Sequence, residues 1–218
     1  MTLIYCYDAY CGWCYGFSPV ISKIAEVYGR QLHCEVLSGG MLLPQKPVHI
    51  GATAGYISQA YKTVEETTGI RFGTDYLWHI NNPDESDWYP NSEKPAIALC
   101  IFKESFPEKQ VAFAADLQYS LHDEGRDLTD NEAYRHLLEK YELDETDFYG
   151  KLKSDTYKQK AHEEFDLCRQ LQVNGFPQVF IQVSESKIYS VAQGYTSYDD
   201  LKQRVDTVLE AVRKEQKP

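Results

Sequence analysis

The chain has 218 residues, 43% of them hydrophobic and 25% charged, an ordinary globular balance with enough apolar material for one elaborated domain. Its 33 acids against 22 Lys and Arg give a net charge of -11, which argues against a nucleic-acid backbone or an anionic membrane surface as main partner. The longest apolar run, Ala96 to Phe102, has seven residues, far short of a membrane span.

Residues 3–7 form a short β-rich run, and Met1 leads into it with no basic stretch and no small-residue cleavage site. No secretory signal is expected, and a cytoplasmic protein keeps its cysteines reduced. Next come Cys11-Gly12-Trp13-Cys14 and then Ile21, Ile24, Ala25 and Tyr28 at helical spacing, ending at Gly29. Pro19 lies inside this helix and should kink it. A second β-type run, Leu32 to Leu37, stops at Gly39-Gly40. The pattern is a βαβ unit with the cysteine pair at its strand-to-helix turn.

From residue 41 to about 172 the chain reads as helical. One helix starts at Asn91-Ser92 with Pro95 and ends at Pro107; another runs to Gly125. Thr129 to Glu132 has capping-box spacing. A helix opening at Ser154-Asp155 puts Tyr157, Ala161, Phe165 and Cys168 on one face, and Asn174-Gly175 should stop it. This stretch holds most of the acid: residues 116–166 carry 15 acids against 7 bases, residues 1–40 only 3 against 2. Phe176 to Val183 and Ile188 to Val191 then read as a hairpin around Ser184-Glu185-Ser186. Leu201, Val205, Val208, Leu209 and Val212 form the stripe of a last helix capped by Thr196 or Ser197.

C-x-x-C at a helix start carries the strongest chemical signal. One helical turn brings the sulfurs within disulfide range, and the free amides of the helix N-terminus favour a thiolate on Cys11. Cys11 is then the nucleophile and Cys14 the resolving thiol. Zinc would need two further ligands. The chain has no second C-x-x-C and no His pair at i,i+4, only scattered histidines, so no metal is expected. Cys6, Cys34, Cys100 and Cys168 read as small core residues, and the histidines as surface or cap residues.

The motif Asp8-x-x-Cys11-Gly12-Trp13-Cys14-Tyr15 after the first strand, with Gly175-Phe176-Pro177 opening the returning strand and Gln193-Gly194-Tyr195 before the last helix, resembles the DsbA-like branch of the thioredoxin superfamily. It looks closer to the FrnE-type cytoplasmic members than to the periplasmic oxidants. The resemblance implies an α/β thioredoxin fold with a large all-helical insertion between the βαβ and ββα halves. Residues 1–40 and 173–218 would form the thioredoxin-like domain, and 41–172 the helical insertion domain. It makes Cys11 and Cys14 the redox pair and Pro177 the cis-proline beside it, which exposes the Phe176 backbone to an extended substrate. Two departures stand out. Gly12-Trp13 has neither the His of acidic thiolates nor the Pro of reducing relatives, and Tyr5 replaces a buried carboxylate that relays a proton to the second thiol. Asp8 can take that role through water; it reads equally as an N-cap or a solvated turn acid. Trp13 should be partly exposed, and with Tyr10, Tyr15, Phe17 and Phe176 it can form an apolar lip for peptide or glutathione. Simple packing against the insertion is the competing expectation; Trp13 favours contact, and the other aromatics favour the core.

The expected function is a cytoplasmic thiol-disulfide oxidoreductase or isomerase acting on protein or peptide thiols and disulfides. It needs no cofactor beyond its own disulfide, and glutathione is a candidate co-substrate. A glutathione-dependent isomerase or transferase of the kappa type is one alternative, though it needs no second cysteine. A client-binding adaptor for proteolysis, with a redox-sensitive C-x-x-C and an acidic docking face, is another.

Overall fold

The computed structural model describes residues 1–215. The chain runs β1 (Thr2–Tyr7), α1 (Gly12–Tyr28) and β2 (His33–Ser38), then α2 (Gly51–Thr68), α3 (Thr74–Asn81), α4 (Glu93–Ser105), α5 (Gln110–His122), α6 (Arg135–Lys140), α7 (Glu145–Leu152) and α8 (Asp155–Gln170). It closes with β3 (Gln178–Ser184), β4 (Lys187–Gln193) and α9 (Tyr198–Glu215). The helical stretch thus lies between a βαβ and a ββα half, as the resemblance implies. The strands form one sheet in the order β2-β1-β3-β4, with β1–β2 parallel and the other pairs antiparallel.

Alternation along β1 separates two cores. Leu3, Tyr5 and Tyr7 enter the main core with Phe17, Ile21 and Ile24 of α1 and Leu201, Val205 and Val208 of α9. Ile4 and Cys6 point the other way, into a smaller cluster with Leu37, Phe180 and Cys168 of α8. The stripe read from the sequence for α9 is therefore its buried face, and Cys6 and Cys168 are core residues that share a cluster.

Local chemistry accounts for the helix ends and for several departures from expectation. α1 runs unbroken through Pro19, which cannot donate to the Tyr15 carbonyl four residues back; the Ser18 hydroxyl donates to that carbonyl instead, at 2.8 Å. Ser154 caps α8 by accepting from the Thr156 amide at 3.3 Å. Helix α8 ends before Asn174-Gly175, because Gln172 adopts φ 57° and the Val173 amide turns back to the Cys168 carbonyl at 3.0 Å. Thr129 to Glu132 makes no capping box. Asp127 takes the Thr129 hydroxyl at 2.8 Å, and Glu132 pairs with Arg135 at 2.8 Å. Strand β3 starts at Gln178, two residues later than the apolar run suggests.

Strand β2 is a sheet edge, whose free backbone groups need partners. The helices supply them. The Gln110 side chain accepts from the Val36 amide and donates to the Cys34 carbonyl, both at 2.7 Å, and Glu164 accepts from the Ser38 amide at 2.9 Å. Lys103 reaches the Val36 carbonyl and pairs with Glu35 and Glu164 at 2.8 and 2.7 Å. α4, α5 and α8 are thereby fastened to the sheet by side chains acting as a fifth strand. Among the described residues no helix is long and apolar enough to cross a membrane.

His122 corrects the reading of the histidines as surface residues. It is 1% exposed at the end of α5, with ring centroids 5.0, 5.4 and 4.9 Å from Tyr15, Phe72 and Tyr76. Neither ring nitrogen has a hydrogen-bond partner among the described residues. Burial disfavours the charged form and lowers its pKa to about 3. The unfolded chain protonates His122 near pH 6.5 and the folded chain does not, so its stability contribution falls as pH drops from about 6.5 towards about 3. Going from pH 7 to 5 should cost about 2 kcal/mol through this residue. Urea unfolding of wild type and His122→Phe at both pH values checks this: the variant should lose less stability, and equal losses would refute the assignment.

Candidate active site

Sheet register brings the site together. Cys6 pairs with Gln178 across β1 and β3, so the Tyr7-Asp8 exit of β1 and the Phe176-Pro177 entry to β3 meet at one end of the sheet. The Phe176–Pro177 peptide bond is cis. Cys11 itself is the N-cap of α1: its backbone is extended, at φ -83° and ψ 109°, and its Sγ accepts from the Cys14 amide at 3.4 Å. The Cys11 thiol faces the Phe176 carbonyl at 3.6 Å. Both cysteines are free thiols. They differ in access, Cys11 being 6% exposed and Cys14 0%. Burial, followed by the neighbouring Cys11, pushes the Cys14 thiol well above its ordinary pKa. A more accessible thiol in front and a fully buried thiol behind it is an arrangement suited to disulfide exchange.

Asp8 is neither the N-cap nor a solvated acid, since Cys11 takes the cap and Asp8 is 1% exposed. Its carboxyl accepts from the Tyr10 amide at 3.0 Å, the Met41 amide at 2.7 Å and the Ser92 hydroxyl at 2.9 Å. Gln118 donates to its backbone carbonyl at 3.3 Å. Burial raises the Asp8 pKa, while the hydrogen bonds pull the other way. Tyr5 lies beside Cys14, with its hydroxyl unpartnered among the described residues and its pKa raised by burial.

The expected aromatic lip divides into three parts. Trp13 is half-buried, and with Tyr10, Cys11 and Gly12 it lines a cavity of about 260 Å³. The facing walls come from Ile57, Tyr61 and Val64 of α2, Tyr76 of α3, and Phe72 and Trp88 in the flanking loops. Phe176 is half-buried over Gly39 and does not line the cavity. Tyr15 and Phe17 belong to the core, which corrects their assignment as substrate contacts. Tyr15 is 4% exposed, donates to the Arg71 carbonyl at 3.1 Å and packs on Phe72 and His122. Phe17 is 0% exposed, with its ring 5.9 Å from Tyr5 and 6.3 Å from Tyr195. Both lie on the inner face of α1, where the main core claims apolar side chains.

Nothing in the sequence marks Ser92, Met41, Gly39, Gln118 or the α2–α3 wall as part of the site. Each reaches the site through a contact distant in sequence and carries no local signature. Gly39-Gly40 was legible only as a turn.

The family profile described as the DSBA-like thioredoxin domain matches residues 2–206. No curated protein sequence matches the chain. Among solved structures, it is similar to a candidate protein disulfide isomerase from Nitrosomonas europaea, with 25% identity, TM-score 0.84, and 96% of this chain and 98% of that one covered. The cytosolic disulfide reductase DsbM from Pseudomonas aeruginosa, solved with GSH, shares the fold at 24% identity and TM-score 0.76, over 96% of this chain and 100% of that one. A 2-hydroxychromene-2-carboxylate isomerase shares it at 15% identity and TM-score 0.66, over 99% and 98%.

Gly39 shows how closely the site is packed. A Cβ there would come 1.9 Å from Cζ of Phe176, so Gly39→Ala must displace the ring of the residue whose carbonyl faces the Cys11 thiol. Overpacking of this kind costs about 1–3 kcal/mol. In a Phe176→Ala background the added methyl meets no ring, and the penalty should shrink to about 0.5 kcal/mol or less. A double-mutant cycle by chemical denaturation measures this, and an additive result would contradict the packing described.

Proposed function

The chain belongs to the DSBA-like thioredoxin-domain family, and on that premise we propose that it is a thiol-disulfide oxidoreductase working through Cys11 and Cys14. The observation that carries the reading is the unequal access of two free thiols at one helix start, Cys11 at 6% exposure beside an apolar cavity and Cys14 at 0% behind it. Cys11, as thiolate, attacks one sulfur of a substrate disulfide. The substrate S–S bond breaks, its electron pair leaves on the other sulfur, and a mixed disulfide forms on Cys11. Cys14 loses its proton and attacks Cys11 Sγ, which releases the bound thiol and leaves Cys11–Cys14 oxidised. The reverse sequence oxidises a substrate dithiol.

Asp8 is the group proposed to take the Cys14 proton. Its raised pKa suits a proton acceptor in a buried site, and its hydrogen bonds hold it in place. The Phe176 carbonyl next to the Cys11 thiol offers an edge to which an extended peptide can pair. Glutathione is proposed as the thiol that restores the reduced pair, a role favoured by the glutathione-bound disulfide reductase of the same fold. A cytosolic location, where such a pool exists, is part of the same proposal. Retention of Cys14 favours thiol-disulfide exchange over a glutathione-dependent isomerase, whose chemistry needs no second thiol.

Cys14→Ser should accumulate the mixed disulfide on Cys11, and Cys11→Ser should form none, as followed by mass spectrometry under non-reducing conditions. Asp8→Asn should slow release from the mixed disulfide by roughly a hundredfold, more than it slows formation, and flatten the pH profile of release. If both steps slow alike with the profile unchanged, Asp8 only holds the loop.

A further inference from the structure

We infer that the cavity beside Cys11 selects the disulfide to be attacked, taking those whose attacked sulfur carries an uncharged aromatic or branched aliphatic group. This rests on the thiol-disulfide reading above and names its substrate class.

The cavity shares a wall with the attacking thiol, since Cys11 and Gly12 line it along with Trp13. A group carried on a sulfur bonded to Cys11 would therefore have the cavity beside it. Its volume is about 260 Å³; a dry apolar cavity of about 150 Å³ takes up benzene. Its lining includes Ile57, Val64, Phe72 and Trp88 and contains no Asp, Glu, Lys, Arg or His. In a chain of net charge -11, that is a local exclusion of charge. A carboxylate or ammonium in this space would lose its hydration and find no counter-charge. Glutathione, with charged ends, is thus excluded from the cavity and suited to be the departing half of a mixed disulfide. At the mouth, Met41 and Tyr56 are 44% and 74% exposed, which leaves apolar surface for the entering group.

For a substrate R–S–S–G, with R apolar and G the glutathione half, Cys11 thiolate bonds to the sulfur carrying R. The S–S bond breaks with its electron pair on glutathione, which takes a proton from water. Cys14 then attacks Cys11 Sγ and expels R–S⁻, so the substrate is reduced to two thiols and the protein pair is oxidised. Two further glutathione molecules reduce Cys11–Cys14 and are themselves oxidised to glutathione disulfide.

The experiment compares kcat/KM of the full chain for the mixed disulfides of glutathione with benzyl mercaptan and with 2-mercaptoethanol, each corrected for its uncatalysed rate, using glutathione as reductant. The benzyl substrate should be preferred by about ten- to a hundredfold, the worth of burying one ring. Ala60→Trp, which fills the cavity from α2, should bring the ratio close to one. Ethylbenzene, which has no sulfur, should compete with the benzyl substrate in wild type and supplies the same test if the variant does not fold. Equal turnover of the two substrates in wild type, or a preference that neither the tryptophan nor ethylbenzene reduces, overturns the cavity assignment and leaves thiol-disulfide exchange standing. No turnover of either substrate, together with no Cys11–Cys14 disulfide in oxidised glutathione, overturns the underlying reading as well.

Discussion

The buried carboxyl of Asp8 is the point at which three separate parts of the chain meet. Its oxygens accept from the Tyr10 amide in the loop before Cys11, the Met41 amide after β2, and the Ser92 hydroxyl at the start of α4. Ser92 Oγ in turn accepts from the Leu42 amide at 3.0 Å. A buried carboxyl with so many donors is costly to disturb, because each lost partner leaves an unpaired polar group away from water. The loop before Cys11 and the Met41-Leu42 wall of the cavity are therefore held by one group.

The helices between β2 and β3 are integral to this arrangement. Gln110, Lys103 and Glu164 complete the backbone hydrogen bonding of the β2 edge, and the main core continues from α1 into α4 and α5 through Phe102, Phe113, Leu117 and Tyr134. Glu164 is 8% exposed, an unfavourable place for a lone carboxylate. It is paired with Lys103 and also accepts from the Cys100 thiol at 3.4 Å. Cys100 thus has a structural hydrogen bond, and burial raises its pKa.

Acidity and chemistry are kept apart in this protein. The excess acid lies in the helices of residues 116–166, while the cavity next to Cys11 is uncharged. The surface charge favours solubility, and the cavity wall that includes Cys11 is apolar. Phe72 joins the cavity to the main core. It lines the cavity and stacks on Tyr76, with centroids 5.7 Å apart, while its edge meets Tyr15 at 5.3 Å.

Legible in the residues alone is what nearest-neighbour chemistry encodes. Period-2 and period-3.6 patterns delimit β1, α1, β2 and α9, the C-x-x-C spacing puts two thiols on one helical turn, and Ser154 and Ser197 sit where caps belong. Local reading failed where a competing contact lay close by, as with Asp127 taking the Thr129 hydroxyl, or where the decisive partner lay far along the chain. Asp8 looks like a turn acid until Met41 and Ser92 close over it. His122 looks like a helix-end cap until Tyr15, Phe72 and Tyr76 enclose it. Phe17 and Trp13 are both aromatics beside the same motif, and only packing makes one core and the other cavity wall. Gly39 carries no sign of the Phe176 ring that requires it. These are matters of tertiary structure because burial and hydrogen-bond satisfaction depend on which segments meet in space, and a one-dimensional pattern does not contain those distances.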